Sequence, residues 1–374
     1  MAVVAEPVGV VSGLQLDLVQ GPQRAVQERP AAQRARAEAD LARADGVVEG
    51  DGVCPFARRE LARRDALAVA AEWARACGPL VWIAEAAADT AGRPMNVSYA
   101  VGLPNVGEFG DPRVLAELGV AAEEHGWDGV FVWDHLLYHD PGWPVANPTV
   151  ALAAIAARTS RVRLGPLMTA LPRRRVQVVA REIASLDVLA GGRMVFGAGL
   201  GSMDAEYAAF GEAASLRERA ARLDESLAVL AALWSGRQVR FHGRHVLADG
   251  VRMLPVSVQA RRVPVWCAGR WPVTAGFRRA ARWDGVMPTH AAYGLGATML
   301  PATLAAILGV VASERGGLAG FDVALEGRTT PAGGAGVVAA YARVGLTWWV
   351  EAMGWWRGGV AEARSRIAAG PPLR

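Results

Sequence analysis

The sequence predicts a (β/α)8 barrel, an α/β fold. Three observations carry that expectation. Eight strand-like runs recur between residues 95 and 353. Nearly every run is followed by helical periodicity, and such alternation over roughly 250 residues is the barrel signature. The second, fourth and fifth runs are apolar almost throughout, as strands covered on both faces should be. Catalytic groups in such a barrel stand where strands end and loops begin, so the residues just after each run are the candidates.

The first strand is NVSYAVGL, residues 96–103, opened by Met95. Asp111-Pro112 then gives an N-cap with proline at the first helical position, and Gly126 closes that helix. GVFVWD, ending at Asp134, is the second strand; a helix over residues 149–158 follows. RVRLGPLMT, ending at Thr169, is the third strand. Val176, Val179, Ile183, Leu186 and Ala190 then recur at helical spacing until Gly191-Gly192. RMVFGAGLG is the fourth strand. Ser215 and Glu218 form a capping box for a helix that buries Leu223, Leu227, Leu230 and Trp234 on one stripe. Gly236 ends it, and a hairpin excursion spans residues 239–254.

VPVWCAG is the fifth strand, with a helix over residues 273–282. DGVMPTH is the sixth. The uncharged run 291–313 behind it is long enough to suggest a membrane span, but Gly294, Gly296 and Pro301 break it, so a buried barrel helix is expected. FDVALEG and TWWVEAM are the seventh and eighth strands, separated by a helix over residues 337–344; a last helix covers 360–369.

The chain has 374 residues, 52% of them apolar and 20% charged, enough for one large core plus an appendage. All 40 basic residues are arginine; there is no lysine, and the net charge is only +4. The arginines are spread rather than clustered with aromatics, which argues against a nucleic-acid partner. Cys54, Cys77 and Cys267 make neither a ligand pattern nor a disulfide framework, an odd and sparse set that fits a reducing cytosol. No signal peptide is apparent. Residues 1–94 lack strand rhythm and read as a poorly ordered or partly helical extension, the natural start of the functional domain being Met95; the barrel is expected over 95–374.

At the rim, Trp133-Asp134-His135 ends the second strand. A carboxylate beside an imidazole there can move protons near neutral pH; equally, Asp134 can cap a loop and His135 be an ordinary satisfied polar residue. Leu167 and Met168 end the third strand as a flat apolar wall or as core, and Arg173, Arg174 and Arg175 follow as a phosphate attractor or an exposed charge run. Gly197, Ala198, Gly199, Leu200 and Gly201 let backbone approach a bulky ligand, although short glycine clusters are common. Gly269, Arg270 and Trp271 precede Pro272 and a helix start, which can bind phosphate or be a tight turn. His290 is rim-placed but alone. Metal catalysis is a weaker reading, because the first strand carries no histidine.

Together these stretches resemble the bacterial luciferase-like family of flavin-dependent oxidoreductases. The matching text is AEEHGWDGVFVWDHLL, NPTVALAAIAARTSRVRLGPLMTALPRRR, LDVLAGGRMVFGAGLG, LAALWSG, FHGRHV, VPVWCAGRWP and AARWDGVMP, covering nearly all of 95–374 and none of the leader. The resemblance implies reduced FMN, or the deazaflavin coenzyme F420, across the C-terminal rim. It implies Asp134 and His135 as catalytic groups at the ring edge. It places Leu167, Met168 and Thr169 at a family site where a non-proline cis bond bulges against the ring. Gly197, Ala198 and Gly199 would line the ribityl or phosphate side, Gly269, Arg270 and Trp271 would hold the phosphate, and Trp133, Leu200 and His290 would line the substrate pocket.

Leu200 stands where the family's deazaflavin-dependent sugar-phosphate dehydrogenases carry a catalytic glutamate, which argues against that reaction. The expected function is an FMNH2- and oxygen-dependent monooxygenase of a small organic substrate, its apolar rim shielding a reactive oxygen adduct from water. Deazaflavin-dependent hydride transfer is the second reading and a non-catalytic flavin-holding barrel the third. The substrate is a small molecule. A separate flavin reductase and self-association are left open, with no membrane or metal required.

Overall fold

The computed structural model describes residues 97–212, 215–294 and 297–372, all within one compact unit, Ile83–Arg374. The extension expected over residues 1–94 lies outside the described residues. In chain order the elements are β1 (Ser98–Leu103), α1 (Pro112–Glu124), β2 (Gly129–Val132), α2 (Pro148–Ala156), β3 (Arg163–Pro166), β4 (Thr169–Ala170) and α3 (Val176–Leu189). Then come β5 (Phe196–Gly199), α4 (Asp204–Ala208), α5 (Leu216–Leu233), β6 (Val239–His242), β7 (Leu247–Val251), β8 (Val265–Trp271) and α6 (Ala275–Ala280). The last are β9 (Gly285–His290), α7 (Pro301–Arg315), β10 (Asp322–Gly327), α8 (Gly334–Ala342), β11 (Trp348–Ala352) and α9 (Gly359–Ala368).

Nine strands form one parallel sheet in the order β3-β2-β1-β11-β10-β9-β8-β5-β4, and a parallel bridge between Leu164 and Met194 draws the two ends together. The result is the expected α/β barrel. β6 and β7 make the separate antiparallel hairpin. The third expected strand is interrupted: a cis bond joins Leu167 to Met168 between β3 and β4. The helix expected over residues 273–282 shrinks to α6, because β8 runs on to Trp271.

Local chemistry sets the helix ends. The Asp111 side chain accepts from the Arg113 amide ahead of Pro112. Only half of the predicted capping box forms: Ser215 Oγ accepts from the Glu218 amide, while the Glu218 carboxylate pairs with Arg222 one turn on. The uncharged run becomes α7, which ends at Gly316 in the left-handed region, φ 81°. No helix among the described residues is long and apolar enough to cross a membrane.

The lumen is filled by Phe131, Trp266 and Trp348, with ring centroids 5.3 to 6.0 Å apart. Each such ring buries roughly 150–250 Å², on the order of 4–6 kcal/mol of transfer free energy. Small residues opposite make this possible. A Cβ at Gly285 would stand 2.4 Å from Trp266 Cδ1. Because all nine strands run the same way, their C-terminal ends open on one face above this aromatic plug. His135, Met168, Gly199 and Arg270 all stand at that end.

Candidate active site

Strand alternation decides which rim residues face the chamber. Phe131 and Val350 belong to the lumen cluster, and the register pairs Gly102 with Phe131, Ala268 with Met287, Arg270 with Thr289, and Glu326 with Val350. Two residues up each strand, Trp133, Met168, Gly199, Arg270, Thr289 and Glu326 therefore ring the chamber. Gly199 leaves room there: its missing Cβ would lie 3.5 Å from Met168 Cβ and 3.3 Å from Ala268 Cβ. Arg270 and Thr289 are exposed.

Several other residues singled out in the sequence face the helical layer. Ala198 is fully buried in the outer core, and Leu200 packs against it. Thr169 pairs with Ala198 on that side. Gly269 is small for α6: a Cβ would sit 2.3 Å from the Phe277 ring. Trp271 also leans on Phe277, with centroids 6.2 Å apart. Gly197 faces inward, but under Leu167, whose Cδ2 would meet its Cβ at 2.5 Å. His290 folds onto Tyr293 and accepts from the Ala292 amide. Ala198, Leu200, Gly269 and Trp271 thus brace the rim.

Asp134 points outward into a buried ion network. Its side chain is 1% exposed and lies 3.6 Å from Arg173 and 3.3 Å from Arg174. Arg173 also donates to the Asp134 carbonyl and, at 2.7 Å, to Glu206. The predicted exposed arginine run is thus exposed only at Arg175.

Glu206, on α4, is the first residue that sequence reasoning passed over. It accepts from the Leu136 and Leu137 amides at 2.6 and 3.2 Å and lies 3.3 Å from His135 Nδ1. That last approach is an ion-pair contact; its angles fall short of a hydrogen bond. Burial alone would raise the Glu206 pKa. The His135 contact, the Leu136 amide and the Arg173 guanidinium outweigh it and hold the carboxyl at about 2. Asn105, fully buried after β1, was also missed. It donates to the carbonyls of His135 and Ala146 at 2.9 and 2.8 Å and accepts from the His135 amide at 3.1 Å. His135 is therefore clamped at its backbone by Asn105, with Nδ1 set beside Glu206.

Glu326 is the third. It ends β10, faces inward, accepts from the Trp133 side chain, and is pushed up to about 7 by burial. An acidic residue near the end of a barrel strand was a legible signal in FDVALEG. The loops after β2 and β11 close one wall with aromatic rings. Trp133 stacks on Trp356 at 5.6 Å and 16°, and Tyr138 on Trp143 at 5.9 Å and 6°. Arg357, held at 2.6 Å by fully buried Glu351, anchors the second loop.

The barrel is similar to three solved structures. An F420-dependent secondary alcohol dehydrogenase matches with TM-score 0.62 and 17% identity over 73% of this chain and 97% of that one. The F420-dependent tetrahydromethanopterin reductase from Methanopyrus kandleri gives 0.58 and 18% over 73% and 97%. A monooxygenase from Streptomyces bottropensis gives 0.57 and 20% over 72% and 96%. At such identities the likeness is one of fold. Curated relatives are nearer. The F420-dependent glucose-6-phosphate dehydrogenase of Gordonia bronchialis is 38% identical over 183 residues, 48% of this chain and 53% of that protein. Its Rhodococcus hoagii counterpart is 37% identical over 174 residues, 46% and 51%. The chain spans about half the length of the curated relatives it matches.

These relatives overturn two expectations, the oxygen-dependent monooxygenase and reduced FMN as its coenzyme, since the coenzyme in their names is F420. The error has a physical origin. Both coenzymes present a flat tricycle and a phosphorylated tail, so a barrel rim built for one reads like a rim built for the other. Residues 90–307 match the family described as luciferase-like monooxygenase, and the chain belongs to that family.

Proposed function

We propose that this chain is an oxidoreductase that transfers a hydride between a small hydroxylated or carbonyl substrate and the deazaflavin coenzyme F420. The observation that carries this is the 34–38% identity to F420-dependent dehydrogenases. The chamber fits such a coenzyme. Met168, Gly199 and Ala268 make an apolar wall whose one missing Cβ leaves a slot, and exposed Arg270 offers charge for an anionic tail.

When bound, the deazaflavin supplies the hydride acceptor. The chain's own groups do the rest. Ionised Glu206 and Asn105 fix the His135 ring and backbone, so that Nε2 can hold the substrate oxygen at one angle. Asp134, through Arg173 and Arg174, keeps that loop in place. Trp133, Trp356 and Tyr138 shut water out on that side.

Replacing His135 by Ala tests this. The variant should bind F420 like the parent, followed by tryptophan quenching, and lose 10²–10⁴-fold in F420 reduction. A parent protein that binds FMN but not F420 would refute the proposal.

A further inference from the structure

Most buried carboxylates near this rim have an arginine. Asp134 and Glu206 share Arg173, and Glu351 takes Arg357 and Arg366. Glu326 is different. Among the described residues it has no arginine partner; it sits above the apolar lumen layer, and its side-chain partner is the Trp133 indole. Its Oε1 would lie 3.2 Å from a Cβ at Gly102, so the glycine on β1 leaves it space. Val350 is its register neighbour on β11. Other charged or titratable groups of the chamber are Arg270 on β8 and His135, whose ring centroid is 5.8 Å from that of Trp133. Neither pairs with Glu326.

We propose that Glu326 exchanges a proton with the substrate oxygen as the hydride moves. This rests on the hydride-transfer reading above. In alcohol oxidation, the carbon–hydrogen bond breaks and its electron pair leaves with the hydrogen to the deazaflavin. The hydroxyl proton passes to the Glu326 carboxylate, and the carbon–oxygen bond becomes a carbonyl. In the reverse direction the protonated carboxyl returns it. Three features suit Glu326 to this. With no guanidinium paired to it among the described residues, its proton can come and go. Burial places that exchange in the neutral range, at about 7. His135, clamped by Glu206, is free to hold the oxygen meanwhile.

The plain alternative is that Glu326 only accepts the Trp133 N–H, which a glutamine would do equally well. The test compares the full-length parent with E326Q, using F420 with cyclohexanol and with glucose 6-phosphate as probes across pH 5–9. A parallel infrared titration follows the protonated-carboxyl band. E326Q is expected to bind F420 within about twofold of the parent and to reduce it 10²–10⁴-fold more slowly. The parent's rate should rise with pH through a midpoint near 7, a limb missing in E326Q. Equal rates in parent and E326Q, or a limb that survives the substitution, overturns the proposal and leaves hydride transfer standing. A parent that does not bind F420 ends the hydride-transfer reading and this one with it. If the parent binds F420 but turns over neither probe, the infrared titration decides. A band that titrates near neutrality in the parent and is gone in E326Q supports the role; its absence from the parent refutes it.

Discussion

Replacing Glu206 by Gln should unfasten the loop that carries His135. The side chain is 1% exposed and its pKa falls from 4.5 to about 2. That difference of about 2.5 units, at 1.36 kcal/mol each, makes the ionised group worth on the order of 3 kcal/mol to folding. The substitution also leaves Arg173 buried with one anion fewer, a loss typically of about 3–5 kcal/mol, so a deficit of about 3–5 kcal/mol at pH 7 is expected. The folded pKa is the lower one, so the stabilisation is fully present above pH 4.5 and is lost as pH falls toward 2. Urea denaturation of both proteins at pH 7 and at pH 3 measures this. The gap should narrow at the lower pH as the carboxyl of the parent's unfolded chain takes up its proton. A gap under about 1 kcal/mol at pH 7 would refute the claim that this carboxylate anchors the loop, and so would a gap just as wide at pH 3.

Three further outcomes follow from the chamber. Glu326→Gln should stabilise the fold, and with the opposite pH sense. A carboxyl raised from 4.5 to about 7 opposes folding increasingly as pH rises through that window and not at all below it. The gain is up to about 3 kcal/mol at pH 8, fading at pH 4, in the same urea assay. Gly199→Ala places a methyl between Met168 and Ala268. It should lower F420 affinity tenfold or more by fluorescence titration while shifting the melting temperature by only a few degrees. Arg270→Gln removes an exposed charge, so stability should hold while F420 affinity falls about tenfold at low salt and less at high salt.

The barrel was legible because its strands and helices have different periods. The lumen plug followed from apolar strands, and the position of the interruption at Leu167-Met168 followed from the family resemblance. Side-chain direction at the rim was harder. Asp134 and His135 are adjacent in sequence, yet one turns onto Arg173 and Arg174 and the other sets its ring beside Glu206. Gly269 reads as part of a phosphate-holding turn, whereas its missing Cβ is taken up by Phe277. Glu206 and Asn105 were invisible because their link to His135 spans 71 and 30 positions along the chain. Nothing local marks a contact across such distances. Glu326 did have a local mark, its place near a strand end, but a lone carboxylate in FDVALEG is a weaker signal than a glycine cluster or a histidine.

The two glutamates explain why one rim needs both. On the proposed reaction the chamber must hold the substrate oxygen at a fixed angle and must also move a proton, and one group does both poorly. Holding asks for a charge that never changes; proton exchange asks for one that changes easily. Glu206 meets the first demand because Arg173 and two amides keep it ionised. Glu326 meets the second because an apolar floor and a single indole do not. Environments that drive two carboxyls apart in this way separate the supporting role from the proton-carrying one. Moving an arginine into reach of Glu326, for example at Thr289, should therefore abolish the neutral-pH limb in the rate while leaving His135 in place. A rate that keeps that limb with an arginine at position 289 would contradict the division of labour.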